Sequence, residues 1–182
     1  MFVKCINISL LVISTVLLFS CSEEKQTVQK SIPKENLKLL PDQISWDVEV
    51  RFVDSSFTKA ILTARRARIY QDKMETILDS GVHVDFMSKS SLKRMSLLTA
   101  DSIRIDDRTK NMLAGGHVRV YSDSSRTSLE TSLLEWNNNT QKLYSTEFVK
   151  ILSPEGRTQG FGFESDQFLT KYTIFRVSGE QK

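Results

Sequence analysis

From Ile44 the chain alternates. Ile44, Trp46, Val48, Val50 and Phe52 are apolar, and Ser45, Asp47, Glu49 and Arg51 between them are polar. Successive side chains of a strand point to opposite faces, so a period of two predicts a half-buried strand. The alternation returns at Val82/Val84/Phe86, Ile103/Ile105, Val118/Val120, Leu134/Trp136 and Val149/Ile151. No stretch after Ile44 sustains the 3.6-residue apolar period of a helix. The segments between the strands are rich in turn formers: Asp106-Asp107, Gly115-Gly116, Asp123-Ser124-Ser125, Asn137-Asn138-Asn139 and Pro154-Glu155-Gly156. An all-β domain over residues 41–182 is predicted.

The pattern also repeats over a longer distance. Leu62-Thr63-Ala64 recurs as Leu98-Thr99-Ala100, and a third copy starts at Leu129. In the same register Ala67 and Ile69 fall on Ile103 and Ile105, then on Leu134 and Trp136. Val82 and Val84 fall on Val118 and Val120, then on Val149 and Ile151. A weaker fourth copy runs from Phe163 to Val177. Each copy holds two or more strands joined by a polar turn. Stacked hairpins of this kind build a long sheet that curls over an apolar interior. The expected inner face comprises Trp46, Val48, Val50, Ala64, Ile69, Val82, Val84, Ile103, Ile105, Val118, Val120, Trp136, Val149 and Ile151. Alternation alone leaves two interiors open: a closed sandwich core, or a trough that accepts acyl chains.

The first 40 residues follow another pattern. Lys4 precedes an apolar run, Ile6 to Phe19, shorter than the roughly 20 residues of a spanning helix. A positive start, a short apolar core and a small residue before a cysteine predict a secretory signal over 1–20. Its end, Leu18-Phe19-Ser20-Cys21, resembles the lipobox of bacterial lipoprotein precursors, in which the cysteine sulfur is acylated. Residues 21–40 are polar, are punctuated toward their end by Pro33 and Pro41, and read as a tether. Fully stretched it reaches about 60 Å. Cys5 leaves with the signal and no cysteine follows Cys21. The domain must therefore hold by strand pairing and apolar burial, without a disulfide.

Charge and chemistry narrow the function classes. Without Lys4 the chain has 24 basic and 22 acidic residues, too even for a nucleic-acid binder. Nucleophile elbows, zinc-protease helices and phosphate-binding glycine loops are missing from the sequence. Gly160-Phe161-Gly162 precedes a strand signal and not a helix. His83 and His117, with Asp85 as a third ligand, are the candidate metal set. Asp101, Asp106, Asp107 and Asp166 are the candidate carboxylates for hydrolysis. Both sets read more simply as solvated strand and turn residues. Arg66 and Arg68 share a strand face that can meet phosphate, or be a plain solvated face. Asn138-Asn139-Thr140 fits a glycosylation sequon and also a hairpin turn.

Several segments together carry a resemblance: Leu98-Thr99-Ala100-Asp101, Gly116-His117-Val118-Arg119-Val120, Leu129-Glu130-Thr131 with Leu134-Glu135-Trp136, Val149-Lys150-Ile151, and Gly160-Phe161-Gly162-Phe163-Glu164-Ser165-Asp166. In order and spacing, over about residues 40 to 179, they resemble the LptC family of lipopolysaccharide export. The resemblance implies an open, twisted β-jellyroll whose apolar interior takes lipopolysaccharide acyl chains. It implies docking of the N-terminal edge to the inner-membrane ABC transporter (LptB, LptF, LptG) and of the C-terminal edge to the periplasmic bridge protein LptA. No catalysis and no cofactor are implied, because the transporter spends the ATP. Tyr172, Ile174, Phe175 and Val177 would form the C-terminal docking edge. The better-known family form has a transmembrane helix where this chain has a lipobox. The expected location is the periplasmic side of the envelope, lipid-anchored to the inner membrane. Two other functions stay open: an envelope scaffold with a closed core and no ligand, and a polysaccharide hydrolase on a β-solenoid. Shorter, single-strand rungs would mark the solenoid.

Overall fold

The computed structural model describes residues 40–181. The signal segment, Cys21 and the tether up to residue 39 lie outside the described residues. Nine strands follow one another: β1 (Gln43–Asp54), β2 (Phe57–Tyr70), β3 (Glu75–Met87), β4 (Arg94–Asp106), β5 (Met112–Ser122), β6 (Ser128–Asn137), β7 (Lys142–Ser153), β8 (Gly156–Asp166) and β9 (Tyr172–Gln181). All pair antiparallel with their chain neighbours in one sheet of order β1 to β9. The sheet is open, since β1 and β9 do not pair. The expected all-β jellyroll of stacked hairpins is the observed architecture.

The strands are much longer than the usual five or six residues, and each is interrupted near its middle. Asp47 stands unpaired in β1 with φ 50°. The ladders shift register between Thr63 and Arg66, Asp79 and Val82, Thr99 and Ser102, Gly115 and Val118, Thr131 and Glu135, and Ser145 and Phe148. Bulges bend a strand and sharpen its twist. Lined up from strand to strand, these make a crease that divides the sheet into two leaves. The first leaf holds the β1–β2, β3–β4, β5–β6 and β7–β8 turns. The second holds the β2–β3, β4–β5, β6–β7 and β8–β9 turns.

The crease changes which residues face inward. Ala64 and Ala67 are both buried, three apart, and so are Ala100 and Ile103. The same step separates buried Gly160 from Phe163. Two cross-strand rows line the interior. In the first leaf Val50, Leu62, Val84, Leu98, Val120, Leu129 and Ile151 stand opposite one another in sequence. In the second, Ile69, Thr76, Ile105, Met112, Trp136 and Leu143 do the same.

The two leaves close on each other with an offset of several strands. Trp136 of β6 packs its ring on Phe52 of β1 at 5.8 Å and on Phe86 of β3 at 5.6 Å. Two polar stitches pin the free margins. Lys59 donates from Nζ to Asn138 Oδ1 at 2.9 Å, and Ser96 from Oγ to the Gln167 carbonyl at 2.5 Å. Gln167 Oε1 also accepts from Trp136 Nε1 at 3.0 Å, which satisfies the buried indole.

The repeat shows again in the turns. Asp106, Asn137 and Asp166 occupy equivalent second-leaf positions and each accepts backbone N–H bonds from the following turn. Ser88, Ser122 and Ser153 do so in the first leaf. These are side-chain-capped turns, and they explain why the intervening loops need little glycine.

On the outer face beside the crease, Arg66 Nε and Arg68 Nη2 each donate to Asp79 at 2.7 Å. Burial alone would push the Asp79 carboxyl up. The two arginine bonds and charges outweigh it and hold the group below the usual carboxylate range. Its contribution to stability is therefore full above the ordinary carboxylate pKa of about 4 and is lost as pH falls through the lowered value. Asp79→Asn should cost about 1–2 kcal/mol at neutral pH, since both arginines are one-third exposed. Chemical denaturation at neutral pH and again near pH 3 checks this: the gap between mutant and parent should shrink in acid.

Candidate functional site

Thirteen of the fourteen expected inner-face residues face the interior. Val82, Val84, Ile103, Ile105, Val118, Val120, Trp136, Val149 and Ile151 are at most 3% exposed, and Ala64 is buried as well. Val48, Val50 and Ile69 are half-buried, at the β1 end. Trp46 is the correction. It is 63% exposed and stands outward. The left-handed Asp47 reverses the parity of β1, so that Ser45, and not Trp46, joins Val48 on the inner side. Trp46 lies instead against the Arg66 guanidinium, 5.9 Å from its ring.

The interior is therefore neither a plain closed core nor an open trough. Its middle is filled by Phe52, Phe86 and Trp136. At the β1 end a groove of about 540 Å³ opens between the leaves. Val48, Val50, Phe52, Ala67, Ile69 and Ile105 give it an apolar lining. Arg51, Lys110, Glu49 and Asp107 stand at its rim. An apolar slot with mixed charges at the mouth suits an amphiphile: chains inside, headgroup at the rim. Sequence alternation had placed the lining but could not locate the opening, because the offset between leaves is a tertiary property.

The last strand has a free edge. Tyr172 and Ile174 pack against the core, and the Tyr172 ring stacks near Phe163 at 6.4 Å. Phe175 and Val177 are 62% and 57% exposed. Gly162, at φ 74°, lets Phe175 lie across it, because a Cβ there would stand 2.7 Å from the Phe175 ring.

The candidate chemical residues are scattered. His83 is exposed on the first leaf, and His117 binds Asp101 at 2.7 Å in solvent. Among the described residues no three His, Cys, Asp or Glu side chains gather as a metal would need. Asp106 and Asp166 cap turns, and Asp107 accepts from Thr76 at 2.9 Å. Asn138 to Thr140 form the β6–β7 turn.

A search of curated proteins finds no match to the chain. A family model described as lipopolysaccharide-assembly, LptC-related, matches residues 8–175. That span takes in eight strands and the first four residues of the ninth, along with both leaves and the groove. The chain belongs to the LptC family, whose members take part in lipopolysaccharide transport at the periplasmic envelope.

Proposed function

We propose that this protein is a lipid-relay module: it receives lipopolysaccharide from an inner-membrane ABC transporter of LptB, LptF and LptG, and passes it along the sheet toward an LptA-type bridge protein. The observation that carries the reading is the apolar groove at the β1 end, continuous with an interior row of aliphatic side chains. Burial of acyl surface at about 25 cal/mol per Å² supplies affinity without specific polar contacts. No catalytic step is assigned to it. The free edges of β1 and β9 suit pairing with neighbouring sheets, with Phe175 and Val177 on the β9 side.

The filled middle favours one competing reading, a scaffold with a closed core and no ligand. Under the relay reading the leaves must part beyond the groove, and the two polar stitches are what must yield. Photo-crosslinking amino acids decide between them in cells. Probes at Val48 and Ile69 should capture lipopolysaccharide, and probes at Phe175 and Val177 a bridge protein. A probe at His83, on the outer face, should capture neither. Silence at both groove positions with the protein present at normal level would favour the scaffold.

Anchoring through Cys21 belongs to the same proposal. Cys21→Ala should abolish incorporation of a labelled fatty acid and leave unprocessed precursor, because the acyl acceptor is the cysteine sulfur. Label retained by the variant would remove the lipobox.

A further inference from the structure

β1 and the residues just before it expose apolar side chains that the interior does not use. Leu40, Ile44 and Trp46 are 51%, 49% and 63% exposed. Across the β1–β2 ladder Ile44 stands opposite Arg68, and Trp46 opposite Arg66. The row continues outward-facing through Ile77, Arg104 and Leu113. Apolar side chains and arginines thus alternate across the outer face of the second leaf. Trp46 is there only because Asp47 adopts a left-handed conformation that non-glycine residues rarely take. Asp79 holds both neighbouring guanidinium groups in place.

We propose that this face is a membrane-contact surface, laid on phospholipid headgroups with the Trp46 ring at the boundary between headgroup and acyl chain. An indole is the side chain best suited to that boundary, and arginine donors meet lipid phosphates while their stems cover apolar surface. The choice of a bilayer over a protein as occupant follows from the chain itself. β1 is entered at Leu40, about 20 residues after the apolar run that ends at Phe19. Fully stretched, a segment of that length reaches about 60 Å, which sets the largest distance between Leu40 and the membrane. This holds whether the run stays as an anchor or is replaced by lipid on Cys21, and it rests on that anchoring reading. The consequence is functional. Val48 and Val50 on the inner side of the same strand line the groove, so a bilayer against the outer side of β1 sets the groove mouth close to the membrane that holds the transporter.

Tryptophan fluorescence tests this directly, because Trp46 and Trp136 are the chain's two tryptophans and only Trp46 is exposed. The full protein, purified from membranes, is placed in vesicles of phosphatidylethanolamine and phosphatidylglycerol, beside a Trp46→Phe variant. The difference between their spectra is the Trp46 signal. It should shift to shorter wavelength and be quenched several-fold more strongly by acyl-brominated phospholipid than the Trp136 signal that remains in the variant. A protein that floats with the vesicles but keeps a water-exposed, acrylamide-quenched Trp46 overturns the contact surface and leaves the anchor standing. A protein that does not float overturns both. Neither outcome touches the lipid path, which is read separately by the crosslinking probes at Val48 and Ile69.

Discussion

Replacing Trp136 with alanine should lower the unfolding free energy by about 3–5 kcal/mol, the largest stability loss expected from one substitution here. Trp136 is 1% exposed and touches rings from two strands of the opposite leaf. Alanine leaves a cavity between the leaves. It also strands the Gln167 Oε1 acceptor, which is buried. For a domain of this size the loss corresponds to a melting temperature lower by roughly 10 °C. Trp136→Phe separates the two contributions. It keeps a ring but removes the Nε1 donor, and should cost about 1–2 kcal/mol. Circular dichroism melts would show both. A Trp136→Ala protein that melts with the parent would mean that the leaves are held together elsewhere.

The largest functional effect is expected from a charge in the groove. Ile69→Arg should reduce lipopolysaccharide capture at a Val48 probe at least ten-fold, because it fills the slot and sets an unpaired charge against hydrocarbon. Ile69 is half-buried at an open mouth, so the arginine head can reach water and the fold should survive. Val118→Arg and Val84→Arg are harsher versions, because both positions are sealed, and they should impair the fold as well as binding. His117→Ala and Arg119→Ala, exposed on the outer side, should leave capture unchanged. A folded Ile69→Arg protein that still captures lipopolysaccharide normally would mean the groove is not the lipid path, and the closed scaffold would move ahead.

Much of this was legible in the residues. Alternation located six of the strands, β1 and β3 to β7, and the hairpin repeat added the region of β2 and the C-terminal strands, because each copy presents its aliphatic residues at matching positions: Leu62, Leu98 and Leu129, or Ile69, Ile105 and Trp136. The turn residues Asp106, Asn137 and Asp166 were legible too, since a capping side chain acts within four residues of itself. Thirteen of the fourteen expected inner-face positions followed from these local rules. What the residues did not reveal lies where local parity meets a longer-range bend. Trp46 continues a strict alternation in the sequence, yet it faces out, because every strand must break at the common crease and β1 breaks at Asp47. Nothing in Asp47 itself announces this, and only the shared row of bulges makes it visible. The interior was decided in the same way. Aliphatic rows are equally compatible with a trough or a sealed core. The offset with which the leaves close put Phe52 and Phe86 over Trp136, sealed the middle, and left the β1 end open. That offset depends on contacts between residues some 50 to 84 positions apart, beyond the reach of any local pattern.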